Sequence, residues 1–325
     1  MALFAVLLCV NFASCNNDEN EVPQIGEEIM VSLGFGGEIS VSESPFSRTD
    51  ADDKPDLYGI QIYSCPTSSE SSASYTPYAY GLFDDITSVN VSLVKGYKYK
   101  VSVLLIKNGK NIVRFWAPGI TELYSEPFNT PITNSFILNT VAIIRPNGNI
   151  IHKDGSQYSN SNAEKYYGET TDFIPSEDNN SINIFMKKMF FGGKFIAENL
   201  TEGTLSIIFE QFVAPQIDIT ASENTLTRTF TISDVKSAYN SEDYTDNLKM
   251  QITWEKNDGA LIPLGTHTIA FKRNKMHTVT IKVGNVTSSP SLSVTFEDTE
   301  MGEGESTTIE NGEIIDTNIN TGTEG

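Results

Sequence analysis

Nucleophilic and metal-binding chemistry rests largely on cysteine and histidine, and this chain carries three of each. His152, His267 and His277 stand far apart, with no H-x-x-x-H or C-x-x-C spacing that would gather ligands around a metal. His277 has the parity of Val279 and Ile281 at a strand start and reads as a satisfied edge residue. Cys65 closes the strand-like segment Ile62-Tyr63-Ser64-Cys65-Pro66, with no nearby base in sequence to activate its thiol, and reads as a small packing residue. No G-x-S-x-G elbow presents a serine. Gly34-Phe35-Gly36-Gly37 follows a strand, but nothing helical comes after it to cradle a phosphate. Carboxylates for glycoside hydrolysis have no anchor in so acidic a chain. Asp50, Asp52, Asp53 and Asp56 cluster without the spacing and glycine of a calcium loop. The expectation is a protein without catalysis, metal or cofactor.

Cys15 is the exception. An apolar run from Ala2 to Val10, with the length of a signal-peptide core, leads into the small residues Ala13 and Ser14 directly before it. Phe12-Ala13-Ser14-Cys15 resembles a bacterial lipobox, whose cysteine is acylated and becomes the new N-terminus. The match departs at Phe12, where leucine is usual, and in the lack of a Lys or Arg before the apolar run. The second departure is read as an internal start at Met1, with a basic segment upstream. Asn16 to Glu21 is too polar to pack and serves as a tether. With Cys9 in the signal segment and Cys15 lipidated, Cys65 has no partner for an intramolecular disulfide.

Composition narrows the rest. The 325 residues include 22 Lys+Arg against 42 Asp+Glu, a net charge of -20, which repels polyphosphate and excludes a general nucleic-acid binder. No apolar run reaches the roughly 20 residues a spanning helix needs. Hydrophobic residues at 39% are enough for real cores. Tyr75, Tyr78 and Tyr80, beside Phe83, are candidate ligand contacts through stacking on sugars or a protein partner. The competing reading is that Tyr80 to Phe83 enter a strand and bury their rings. Trp116 and Trp254 fall in strand patterns and read as core.

The elements behind these residues are strands. Val89, Val91 and Leu93, then Tyr97 to Leu105, alternate with polar residues around a bulge or bend at Lys95-Gly96. Asn108-Gly109 predicts a hairpin to Ile112–Trp116. Leu248 to Trp254, Val279 to Val283 and Leu292 to Phe296 alternate likewise. Ser233 to Tyr239 is a candidate short helix capped by Ser233. From Asn147 to Asn180 the period fails. The predicted organisation is a signal peptide (1–14), an acidic tether (15–27), an N-terminal sandwich (28–146), a connector (147–180), a C-terminal sandwich (181–298) and an acidic tail (299–325). That tail is expected to be mostly disordered apart from a marginal hairpin about Asn311-Gly312. The fold class is all-β, two antiparallel β-sandwiches in tandem.

Asp56-Leu57-Tyr58-Gly59-Ile60-Gln61-Ile62-Tyr63, Tyr80-Gly81-Leu82-Phe83-Asp84, Gly96-Tyr97-Lys98-Tyr99-Lys100 and Phe271 to Val279 together resemble the fimbrillins, surface lipoproteins of Bacteroidetes. The acidic run after Cys15 resembles the surface-export signal of such lipoproteins. The resemblance implies transthyretin-like sandwiches, anchoring in outer-membrane lipid through Cys15 on the cell exterior, and a role in pili or adhesion. Its partners would be other pilus subunits or a host or microbial surface ligand. It also implies processing after an early-loop arginine, for which Arg48 is the candidate, and assembly by strand addition. The poor fit of acidic Thr307–Ile315 to an apolar groove favours an anchor, tip or adhesin over a repeating stalk. A glycan-binding lipoprotein of a polysaccharide-uptake system is the alternative.

Overall fold

The computed structural model describes residues 26–38, 55–69, 74–116, 122–153 and 162–283, followed by three further strands. In chain order the elements are β1 (Glu28–Gly37), β2 (Leu57–Pro66), β3 (Thr76–Phe83), β4 (Val89–Val94), β5 (Tyr97–Ile106), α1 (Gly109–Ile112), β6 (Phe115–Trp116), β7 (Leu123–Tyr124), β8 (Ile137–Leu138), β9 (Lys165–Phe173) and β10 (Ser181–Lys188). They continue as β11 (Phe190–Glu198), β12 (Thr204–Glu210), β13 (Ile217–Thr220), β14 (Thr225–Thr231), α2 (Val235–Asn240), β15 (Thr245–Glu255), β16 (Leu261–Lys272), β17 (Lys275–Lys282), β18 (Ser293–Glu300), β19 (Glu303–Glu310) and β20 (Glu313–Ile315). The all-β class is as read from the alternation. Ile29, Val31 and Leu33 on β1, and Leu248, Met250, Ile252 and Trp254 on β15, are buried while their neighbours face out.

The first body is an eight-stranded sheet in the order β4-β1-β10-β9-β5-β2-β3-β8. It curls so that its flanks meet, with the Tyr78 hydroxyl on β3 donating to the Ser92 carbonyl on β4 at 3.0 Å. β4 and β5 follow one another in the chain yet lie at separate places in the sheet, so Lys95-Gly96 is a corner. Gly96 takes a left-handed φ of 87°, and the Tyr99 hydroxyl brackets Val94, donating to its carbonyl at 3.1 Å and accepting from its N–H at 2.9 Å. β2 and β5 are buried on both faces, because the loops after α1 lay Phe128, Ile144 and Ile150 over Leu57, Leu104 and Ile106. A Cβ on Gly59 would stand 2.8 Å from the Phe128 ring.

The hairpin predicted at Asn108-Gly109 does not form. Both edges of β5 are already taken, by β2 and β9, so the chain turns into α1 and Ile112–Trp116 leaves to pair elsewhere. Trp116 is 44% exposed with Arg114 stacked 4.6 Å from its ring, which corrects the core reading; Trp254 is buried as expected. His277 is interior, not an edge residue. Its ring lies between Phe191 and Phe271, and its Nε2 accepts from the Lys272 N–H at 2.9 Å. Cys65 is buried. The cap of α2 is Asp234, whose carboxylate accepts from the Ser237 N–H at 3.2 Å, and not Ser233.

The second body packs a six-stranded sheet, β14-β11-β17-β18-β19-β20, with a four-stranded one, β13-β12-β15-β16. Phe191, Phe195, Phe209, Phe212, Phe230 and Phe271 dominate its core. Among the described residues pairing is mostly antiparallel, with two parallel contacts, β1 with β10 and β11 with β17. Two stretches differ from expectation. Residues 147–180 contain β9, and 181–188 are β10 of the first sheet, so the chain passes between bodies at Met189. The period was hidden because Lys165-Tyr166-Tyr167-Gly168 is buried on both faces. In the acidic tail the hairpin expected about Asn311-Gly312 is present as β19 and β20, but β19 is longer than expected and extends the sheet from β18.

Candidate functional site

Cys15, the signal segment and Arg48 lie outside the described residues. Tyr75, Tyr78 and Tyr80 are placed on β3 and just before it, and they do not share a face. The Tyr75 hydroxyl donates to Asp172 Oδ1 at 2.9 Å, and Lys98 stands 3.2 Å from the same oxygen. Tyr78 packs edge-on against Tyr99, with ring centroids 5.3 Å apart. Tyr80 has the parity of Leu82, which belongs to the cluster on the other side of the sheet.

The residues the structure does gather are others. The outward face of β2, β5 and β9 meets α2 and the 144–148 loop around a cleft of about 500 Å³, lined by Tyr63, Lys100, Ser102, Arg145, Tyr167 and Lys236 among others. A single carboxylate organises the polar groups of this lining. Glu169 Oε2 accepts from the Tyr167 hydroxyl at 2.6 Å and from Ser102 Oγ at 3.1 Å, with Lys100 Nζ 3.7 Å away. Burial, reinforced by the bond to Glu169, pushes the Tyr167 phenol up, so it stays a neutral donor. Burial, then the Glu169 charge, does the same for Tyr63. Lys100 also lies 4.8 Å from the Tyr63 ring centroid, within cation–π range.

The cleft wall is held from beneath. Lys165 is fully buried and donates to the carbonyls of Pro146 at 3.3 Å and Gly148 at 3.2 Å. With two dipoles and, among the described residues, no carboxylate partner to offset its lost hydration, burial lowers its pKa to about 8. Asn147 Oδ1 in the same loop accepts from the Val235 N–H at 3.1 Å, which sets α2 against the loop and places Lys236 at the rim. Lys100 and Ser102 were legible as outward positions of β5. Tyr167, Glu169 and Lys165 were missed because they sit in the stretch read as a connector.

β1 is the second functional feature. It lies inside the sheet, antiparallel to β4 and parallel to β10. Just past its end, Glu38 accepts from the Lys188 N–H at 2.7 Å and from Arg273 Nη1 at 2.8 Å, so the N-terminal strand is pinned to the second body. Among the described residues no group of three His, Cys, Asp or Glu could hold a metal ion, and no helix is long and apolar enough to cross a membrane. The groups in the cleft are hydrogen-bond donors, cations and rings, suited to holding a ligand.

No protein-family model matches the chain, and no curated protein does. Solved structures similar to it include the fimbrial anchor protein Mfa2 from Porphyromonas gingivalis, 9% identical, covering 89% of this chain and 99% of that one at a TM-score of 0.38. The tip fimbrial protein Mfa3 from the same organism, with C-terminal truncation, is 8% identical, covering 84% and 100% at 0.32. An adhesin candidate from Bacteroides thetaiotaomicron is 8% identical, covering 90% and 99% at 0.37. The likeness runs along most of the chain, and at these values no residue role transfers from it.

Proposed function

We propose that the chain is a non-catalytic surface protein, anchored in outer-membrane lipid through Cys15, that acts as a fimbrillin-like anchor or tip component or as an adhesin. The observation that carries this reading is the place of β1. It begins at Glu28, at the end of the acidic tether, and enters the interior of an eight-stranded sheet rather than its edge. Tension arriving through the tether pulls along the strand axis. The ladders to β4 and β10 are then loaded in shear, so their bonds must yield together, and Ile29, Val31 and Leu33 must leave the core with them. A protein that holds a cell to a surface needs such a joint.

A second reading, a glycan-binding surface lipoprotein, is favoured by the cleft between the bodies. The anchoring test is metabolic labelling with a fatty-acid analogue in cells that export the chain. The wild type should take label and be open to external protease, and Cys15→Ala should lose the label. Equal labelling of both would sink the anchor.

A further inference from the structure

We propose that the cleft between β2, β5, β9 and α2 binds a small saccharide bearing a carboxylate. Its volume, about 500 Å³, falls within the roughly 300–1,000 Å³ of small-ligand sites. In a chain of net charge -20, three cations line it, Lys100, Arg145 and Lys236, against one lining carboxylate, Glu126, with Glu169 behind the lining residues Tyr167 and Ser102 that it binds. Arg145 gives Nη1 to Glu126 at 2.5 Å and keeps its other donors. Lys100 stands beyond hydrogen-bond distance of Glu169 and keeps its own donors as well. Lys236, exposed on α2, makes no ion pair among the described residues. The local balance therefore favours an anion where the whole molecule repels one.

The remainder of the lining selects the kind of anion. Pro146 and the half-buried Tyr63 ring supply apolar surface above the buried Leu104 and Ile144, and the Tyr63 hydroxyl makes no hydrogen bond among the described residues. Inorganic phosphate cannot use that apolar surface. A pyranose ring can, by laying its C–H face on the apolar surface while its hydroxyls meet Tyr63 and its carboxylate meets Lys236 and Lys100. The site is preorganised, because Lys165 clamps the loop bearing Arg145 and the Asn147–Val235 bond sets Lys236 against it. The cleft would take this ligand whether or not Cys15 carries lipid, so its failure leaves the anchoring reading standing.

The test is saturation-transfer NMR and calorimetry on the full chain with glucuronate, N-acetylneuraminate, methyl glucoside and inorganic phosphate. At least one carboxylated sugar should bind, more weakly as salt rises. Methyl glucoside and phosphate should bind at least about tenfold more weakly, the scale of one charge-assisted hydrogen bond. Lys236→Ala, an exposed change that leaves the fold intact, and Lys100→Ala should each weaken binding by a similar factor. Lys194→Ala, an exposed lysine of β11, should not. No binding of either acid at millimolar concentration would overturn the proposal, as would equal binding of methyl glucoside or phosphate, or indifference to Lys236→Ala.

Discussion

Arg273 reaches Glu38 across 235 positions of sequence, its Nη1 3.1 and 2.8 Å from the two carboxylate oxygens, while its own side chain is 3% exposed. The guanidinium also gives Nη2 to Glu242 at 2.9 Å, but that carboxylate is 70% exposed and screened by water. Removing Glu38 leaves a buried charge poorly matched and frees the end of β1. Glu38→Gln should therefore cost about 3 kcal/mol, near the low end for breaking a buried pair. Glu242→Gln should cost under about 1 kcal/mol. Urea denaturation of the two variants checks the ranking; equal losses would refute it.

The same ion pair bears on processing. Cleavage at Arg48 leaves β1 held by two ladders and by Glu38. Light scattering after low-dose trypsin should thus show an unchanged monomer, with the N-terminal fragment released only in denaturant. Growing oligomers after that cut would instead indicate strand exchange and a polymerising role.

Lys165 makes stability depend on pH. Its pKa in the folded protein, about 8, lies below the ordinary 10.5, so the unfolded chain binds the proton more tightly between those values. The residue's penalty is full below pH 8 and is relieved as pH rises from about 8 to 10.5. Relative to Lys165→Met, the wild type should gain up to about 3 kcal/mol across that window. The buried tyrosines titrate in both proteins and cancel in the difference. Urea midpoints at pH 7 and 10 measure it, and a constant difference would show that Lys165 does not carry it.

Tyr167 ties the two bodies together. It starts in the first sheet, packs in the second core and meets Tyr239 edge-on with centroids 5.3 Å apart. Calorimetry should show one cooperative transition for the wild type. Tyr167→Phe should lose about 1 kcal/mol with the bond to Glu169. Tyr167→Ala should lose about 3–5 kcal/mol and separate the transition into two. A wild type that already melts in two steps would contradict this coupling.

Local pattern was enough for strands with one wet face: β1, β4 and β15 alternate apolar with polar residues, and such a strand has one stable way to lie on a core. Neighbouring aromatics show where that legibility ends. Tyr166 and Phe190 face the first core, with centroids 5.5 Å apart, while Tyr167 and Phe191 face the second. A strand shared by two cores has two apolar faces, so its period vanishes and its residues read as a connector. The turn at Asn108-Gly109 failed for a related reason, since hairpin chemistry is local but β5's edges were already claimed by strands distant in sequence. The cleft belongs wholly to tertiary structure. Lys100, Arg145, Tyr167 and Lys236 come from separate elements, and only the docking of α2 against the loop that Lys165 holds brings their charges within reach of one ligand.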